Sequence, residues 1–280
     1  MSVDTQGQIN FYNCNTKDGS LPWMDATPKL GLTGSNYDLV PTRLPIYDVR
    51  GKENQFQLDM NGFEFHKYNG NIHEPFEDNS PQKQIYYDDI MSLLKNRLGA
   101  AHVVIFGHVI RFRGPLRPAE QCDLTHKNPV FYPHVDNNPD SARFKVKEVL
   151  GDEEAEKVLH NHFQIINVWK PLGPNPIVNT PLTICDYQTL DINHDIHVSE
   201  VRGSNNSVAI YIVSNHAKDN QKWYYTSNMK SDEMFVFKIF DSNPNVAQFG
   251  AHTAFINDSM TAKSNLQQCS VELRCLVFYD

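Results

Sequence analysis

The sequence predicts a mainly β fold with flanking helices, a sandwich or barrel of many short strands, and three observations carry that reading. From Phe163 onward, short β-branched and aromatic runs recur: Phe163–Trp169, Leu182–Cys185, Val208–Val213, Lys222–Thr226, Met234–Phe240, His252–Ile256 and Val271–Tyr279. Turn chemistry separates them, as in Gly173-Pro174-Asn175-Pro176, Gly203-Ser204-Asn205-Asn206 and Asn243-Pro244-Asn245. Helical periodicity is confined to two earlier stretches, enough to cover one face of such a β structure.

Taken in order, residues 1–44 are turn-rich (Thr16-Lys17-Asp18-Gly19-Ser20, Thr33-Gly34-Ser35-Asn36) and read as an irregular arm that wraps the domain or packs on a second subunit. The main domain is expected over 45–280. Ile46–Arg50 reads as a strand ended by Gly51, and Phe56–Asp59 and Phe63–Phe65 as two strands about an Asn61-Gly62 hairpin turn. A helix is predicted from Gln82 to Leu98, because Ile85, Ile90, Leu93, Leu94 and Leu98 share its spacing and Gly99 suits its end. Ala101–Arg111 is a buried strand. Its His102 and His108 lie on one face with no carboxylate and are assigned structural roles. Between Asp140 and His162, a helix capped by Asp140 or Ser141 breaks at Gly151-Asp152 and restarts through Val158.

Composition narrows the function classes. The 280 residues carry no long Gly/Ser or charged linker, which favours one domain with insertions, and 40% hydrophobic with 11% aromatic residues argues for a core rather than disorder. A net charge of −8 leaves no basic footprint for nucleic acid or an anionic membrane. The five cysteines are odd in number and form no C-x-x-C pair, so free thiols in a reducing compartment are expected. Met1–Tyr12 lacks the pattern of a signal peptide, and no apolar stretch approaches membrane-spanning length. The expectation is a soluble cytoplasmic protein. No P-loop or G-x-G-x-x-G is present, which disfavours a nucleotide or nicotinamide enzyme.

The chemistry-bearing pattern is His134-Val135-Asp136, followed by His252 and then Arg274. Side chains at i and i+2 of an extended segment point to the same side, so His134 and Asp136 can meet one metal. A second imidazole from a distant strand, His252, completes a two-His, one-carboxylate face with open positions, the set that suits non-haem Fe(II) oxygenases. H-x-D alone is weak in a chain with 12 histidines. The order H-x-D, distal His, then Arg on the last strand is what a double-stranded β-helix (jelly-roll, cupin-like) oxygenase requires. His216 is the rival distal ligand, set in a polar loop-like run that favours a surface role. His160 and His162 have ligand spacing but stand at a helix end without a carboxylate.

On the last strand, Gln268, Ser270, Glu272 and Arg274 share one face. Arg274 is expected to receive the far carboxylate of 2-oxoglutarate through its guanidinium fork, with Ser270 and Gln268 on the same wall. The alternative is that Arg274 pairs with Glu272 or Asp241. In Phe163–Trp169, Asn167 and Trp169 fall on one face and are expected to meet substrate beside the iron. Gln164, on the opposite face, is the substrate contact if the strand is turned the other way.

Several blocks in order resemble a known family: Tyr47-Asp48-Val49-Arg50-Gly51-Lys52 with Leu58-Asp59 and Gly62-Phe63, Phe163 to Pro171, Trp223-Tyr224-Tyr225, Phe237 to Ser242, His252-Thr253-Ala254-Phe255, and Ser270 to Tyr279. Over roughly residues 45–280 the chain is similar to the fungal and bacterial hydroxylase/desaturase family. That family includes gibberellin-desaturase-like and cephem-methoxylase-component-like proteins. The resemblance implies a double-stranded β-helix, Fe(II), 2-oxoglutarate as cosubstrate, O₂, and a small secondary-metabolism substrate. It implies hydroxylation, desaturation or ring closure, such as aziridine formation on a branched amino acid like valine. Departures stand at His162 and Lys170, where the family commonly has Arg, at Gln221 in place of His, and at Gln268 in place of Arg. Two other classes fit the same ligands: a metal-binding accessory subunit of a biosynthetic complex, and a zinc hydrolase. Decarboxylation of 2-oxoglutarate by the pure protein separates the first, and iron- and oxygen-dependent turnover that zinc inhibits separates the second.

Overall fold

In the computed structural model, the structure is described for residues 4–27, 31–113, 126–203, 207–216, 220–257 and 268–279. The first strands are β1 (Thr5–Thr16), β2 (Trp23–Thr27), β3 (Gly31–Ser35), β4 (Tyr37–Asp48) and β5 (Phe63–Lys67), with a helical turn α1 (Leu58–Asn61) before β5. Next come α2 (Pro81–Leu98), β6 (His102–Arg113), β7 (His126–Lys127), β8 (His134–Val135), α3 (Pro139–Leu150) and α4 (Asp152–Val158). The β-rich half holds β9 (Phe163–Leu172), β10 (Leu182–Cys185), α5 (Ile192–Asp195), β11 (Ile196–Arg202) and β12 (Ser207–Val213). It closes with β13 (Trp223–Tyr225), β14 (Glu233–Asp241), β15 (His252–Ala254), β16 (Ile256–Asn257) and β17 (Gln268–Phe278).

One sheet runs β5-β14-β9-β17-β6-β7 and the other β16-β1-β4-β13-β10-β15-β8-β12-β11-β2-β3. Within them, β6, β9, β14 and β17 face β8, β10, β13 and β15. The chain crosses between the two sets in the winding of a jelly roll, the double-stranded β-helix that the sequence predicts. Alternation explains how β9 and β17 serve two cores. Phe163, Ile165, Trp169, Leu276 and Phe278 point between the sheets with Phe235, Phe237, Ile184 and Trp223. Ile166, Val168, Leu273, Cys275 and Val277 point outward, where Tyr86, Ile90 and Leu94 of α2 cover them. Ser80 caps α2, Pro81 opens it, and Gly99 ends it in the left-handed conformation, at φ 65°.

Two expectations are corrected. The segment 1–44 is not an irregular arm over its described part. Thr5–Tyr12 pairs residue by residue with Leu39–Ile46, and β4 also lies beside β13, so the domain edge expected at 44/45 falls inside a strand. Ile9 and Phe11 are fully or almost fully buried in the inter-sheet core. The turn residues at 17–20 connect β1 to β2, whereas Thr33, Gly34 and Ser35 lie within β3 itself. Asn61-Gly62 is likewise not a hairpin turn. It ends α1, and Gly62 takes φ 80° with its carbonyl accepting from Lys238 N. Among the described residues, no helix is long and apolar enough to cross a membrane.

Candidate metal centre

His134 and His252 are directly paired residues of neighbouring strands β8 and β15, so two remote parts of the chain meet there. Their rings lie 4.5 Å apart between centroids. Each Nδ1 donates to a backbone carbonyl, His134 to Tyr132 O at 2.9 Å and His252 to Gly250 O at 3.1 Å. A carbonyl oxygen only accepts, so the proton sits on Nδ1 and the Nε2 lone pairs face the site. Asp136 follows β8 in the loop that starts α3, with its Oδ1 3.4 Å from His134 Nε2. The three ligand atoms lie within 4.8 Å of one another.

Local structure on each side holds this geometry. After Asp136, Asn138 caps α3 by accepting from Ser141 N at 2.8 Å, Ser141 Oγ accepts from Asn138 N at 3.0 Å, and Pro139 occupies the first turn. This cap lies at Asn138, two residues before Asp140 and three before Ser141, the caps that the sequence suggests. Before His252, Gly250 N donates to Lys238 O, and a Cβ on Gly62 would lie 2.3 Å from Phe249 O. Only a residue without a side chain allows that backbone approach, which seats the His252 segment on β14.

The electrostatics suit a divalent cation. Burial, then the nearby His134, brings the His252 pKa down to about 4, so its imidazole is neutral at pH 7 and free to donate a lone pair. Burial pushes the Asp136 carboxyl up, but Arg274 and the two imidazoles together hold it well below the usual carboxylate range. Two imidazole nitrogens and a carboxylate on one face are the donor set of a non-haem iron site.

The other expected residues divide. Asn167, fully buried, donates from Nδ2 to Asp136 Oδ2 at 3.0 Å, and its Oδ1 has no partner. Trp169 lines the pocket over the ligands, together with Arg111, Val130, Leu182, Thr253 and Glu272. Arg274 is Cα partner to Asn167, with Nη2 3.8 Å from Asp136 Oδ2 and 3.5 Å from Glu272 Oε1. Ser270 is buried and on the same inward face by strand parity. Gln268 does not reach the pocket; its Oε1 accepts from Val178 N and Asn179 N and holds that loop. Gln164 is turned away from the metal. It donates to Asp241 at 2.7 Å and accepts from Tyr279 at 2.8 Å, beside a buried Lys238–Asp241 ion pair on the outer face. The strand parity that sends Asn167 inward sends Gln164 outward.

His216 is exposed and stacks on His194, while His162 pairs with Asp241, so neither joins the metal group. His108 is bonded to Tyr87 and stands opposite outward-facing Leu273, whereas His102 stands opposite inward-facing Phe278, so the two do not share a face as expected. Sequence reasoning missed Arg111 and Lys127. Arg111 lies inward because β6 is irregular opposite Arg274 and Cys275, which shifts its parity, and Lys127 lies beside it on β7.

Comparison with known proteins finds relatives over most of the chain. The chain is 28% identical over 259 residues to the Fe(II)/2-oxoglutarate-dependent dioxygenase nvfI of Aspergillus novofumigatus, covering 90% of this chain and 88% of that protein. It is 28% identical over 271 residues to the hydroxylase/desaturase efuI of Hormonema carpetanum, with the same shares covered. A solved structure of the iron and alpha-ketoglutarate-dependent endoperoxidase NvfI superposes with a TM-score of 0.80 at 25% identity, over 99% of this chain and 98% of that one. A family model described as oxidoreductase/YMDC permease-like domain matches residues 9–278. The chain belongs to that oxidoreductase family, alongside fungal Fe(II)/2-oxoglutarate dioxygenases and hydroxylase/desaturases.

Proposed function

We propose that His134, Asp136 and His252 hold Fe(II), and that the pocket beside them takes 2-oxoglutarate and a small substrate with an unactivated C–H bond. The enzyme is a non-haem Fe(II)/2-oxoglutarate-dependent dioxygenase of secondary metabolism, and its cofactors are Fe(II), 2-oxoglutarate and O₂. The observation that carries the ligand assignment is the convergence of two Nε2 lone pairs and one carboxylate oxygen within 4.8 Å. When bound, the iron and cosubstrate supply the oxidation, with 2-oxoglutarate converted to succinate and CO₂. The protein's own work is ligation, orientation and exclusion of water.

Each group has a task in this reading. The backbone carbonyls of Tyr132 and Gly250 set the imidazole tautomers. Asn167 and Arg274 hold the outer oxygen of Asp136. Trp169 walls the pocket and excludes water from the reacting carbon. Hydroxylation, desaturation and ring closure are alternative ends to the same hydrogen removal, decided by how the substrate is held. A homodimer through the N-terminal segment would use β3, the outermost strand of its sheet. A cytoplasmic location belongs to the same reading, in keeping with the free thiols of Cys14, Cys185, Cys269 and Cys275. Cys122 lies outside the described residues.

The test is a screen of amino acids and small terpenoid and polyketide metabolites for substrate-dependent succinate formation by the pure protein with Fe(II) and O₂. Turnover that zinc inhibits supports the proposal. Hydrolysis supported by zinc without O₂ would replace it with the hydrolase reading.

A further inference from the structure

The inward face of the six-stranded sheet is built in rows. Asn167, Arg274 and Gly107 form one row, Trp169, Glu272 and Val109 the next, and Pro171, Ser270 and Arg111 the third. Successive rows on one face are about 6.5–7 Å apart along the strand. The ligand carboxylate, Asp136, touches the first row only, through Asn167 at 3.0 Å and Arg274 at 3.8 Å. A guanidinium in contact with a metal ligand stands at the edge of the metal. The far carboxylate of a five-carbon 2-oxo diacid lies three carbon–carbon bonds beyond its chelating oxo group and belongs deeper in the pocket.

Charge points the same way. Arg274 is already placed against two carboxylates, Asp136 at 3.8 Å and Glu272 at 3.5 Å. Arg111 lines the metal pocket, and its Nη1 donates to a neutral acceptor, Asn128 O, at 2.8 Å. Lys127 is its strand neighbour. Among the described residues no carboxylate is ion-paired with either cation. Burial, then the fields of Arg111 and Arg274, lower the Lys127 pKa, the mark of a positive region that an anion would relieve. Ser270, directly across from Arg111, adds a hydroxyl on the same row.

Building on the iron and cosubstrate reading above, we infer that two jobs are divided between two arginines. Arg111, with Lys127 and Ser270, receives the far carboxylate of the cosubstrate, whereas Arg274 and Asn167 are positioning residues that clamp the outer oxygen of Asp136. With Oδ2 held by this clamp, Asp136 would offer Oδ1 to the metal. The last strand therefore supplies the hydroxyl but not the cation of the anchor.

The experiment uses the full chain loaded anaerobically with Mn(II), titrated with 2-oxoglutarate and with 2-oxopentanoate, which lacks the far carboxylate. In the unaltered protein the diacid should bind more tightly. Arg111→Gln and Arg111→Met should each erase that preference, weakening 2-oxoglutarate by about 10- to 100-fold with Mn(II) and 2-oxopentanoate binding unchanged. Arg111→Lys should restore part of it. Arg274→Met and Asn167→Ala should instead weaken Mn(II) and lower both oxo acids alike, so the preference survives. A misfolded variant would lose all three affinities, which is why the ratio is read and two Arg111 replacements are compared. Loss of the preference in Arg274→Met with its retention in both Arg111 variants overturns the assignment. If the unaltered protein binds Mn(II) but shows no preference for the diacid, the cosubstrate reading itself fails, a separate and recognisable result.

Discussion

Replacing Asp136 by Asn tests the metal assignment most directly, because the change keeps the shape of the side chain and removes only its charge. Oδ1 faces His134 Nε2 at 3.4 Å, and Oδ2 receives Asn167 at 3.0 Å and Arg274 at 3.8 Å. At that last distance, with an effective dielectric of about 20, the attraction lost to the guanidinium alone is about 4 kcal/mol before solvent compensation. The usual cost of breaking a buried pair is about 3–5 kcal/mol. A divalent ion at the same carboxylate loses at least as much, so Mn(II) or Fe(II) affinity should fall on the order of a thousandfold, at about 1.4 kcal/mol per decade. The metal-free fold should survive, since Arg274 keeps Glu272 as a partner. Anaerobic metal titration followed by electron paramagnetic resonance of Mn(II) measures the first effect, and thermal unfolding of the metal-free protein the second. An Asp136→Asn protein that binds Mn(II) within threefold of the unaltered chain would refute the reasoning.

Further outcomes follow from the same contacts. His252→Ala should abolish tight metal binding, whereas His216→Ala, an exposed residue stacked on His194, should leave it intact; the reverse result in the same titration would exchange the two. Gln164→Ala should lower stability by about 1–3 kcal/mol by stripping partners from Asp241 and Tyr279, yet keep the ratio of succinate to oxidised product, which chromatography of both reads out. Gly62→Ala must place a Cβ against Phe249 O at φ 80° and should lower both the melting temperature and metal affinity, because it displaces the segment that carries His252. Buried Lys170, held by Ile72 O and the Tyr68 ring, has its pKa brought down to about 7 by burial. The unfolded chain then binds more protons above pH 7, so this residue makes stability rise with pH from about 7 toward 10, and denaturant titrations of Lys170→Met should lack that part of the slope.

Much of this molecule is local in origin, and local features can be read along the chain. The α2 boundaries follow from Ser80, Pro81 and Gly99, and the β9 and β14 strands from runs rich in β-branched and aromatic residues. His134 and Asp136 are two residues apart, a spacing that extended alternation puts on one side, although Asp136 itself stands in the bend just after β8. Choosing His252 over His216 rested on the apolar strand around the first and the polar run around the second. In the fold His252 is paired with His134 across neighbouring strands. What the sequence could not decide depends on which strand lies beside which. Thr5–Thr16 carries turn residues at its end and reads as irregular until β4 and β16 flank it. Gln164 and Asn167 differ only by strand parity, and nothing along the chain says which parity looks inward until the second sheet covers one face. Arg111 was hidden for the same reason. The irregularity of β6 opposite Arg274 and Cys275 reverses its parity, and only pairing with β17 brings it level with Ser270. Arg274 was legible as a cation of the last strand, but its distance to Asp136 is set by the packing of that strand against the loop before α3. Residue types and spacings state which chemistry a chain can perform; the packing of the two sheets decides which of those groups share a pocket, because side-chain direction in a strand carries meaning only relative to what lies across from it.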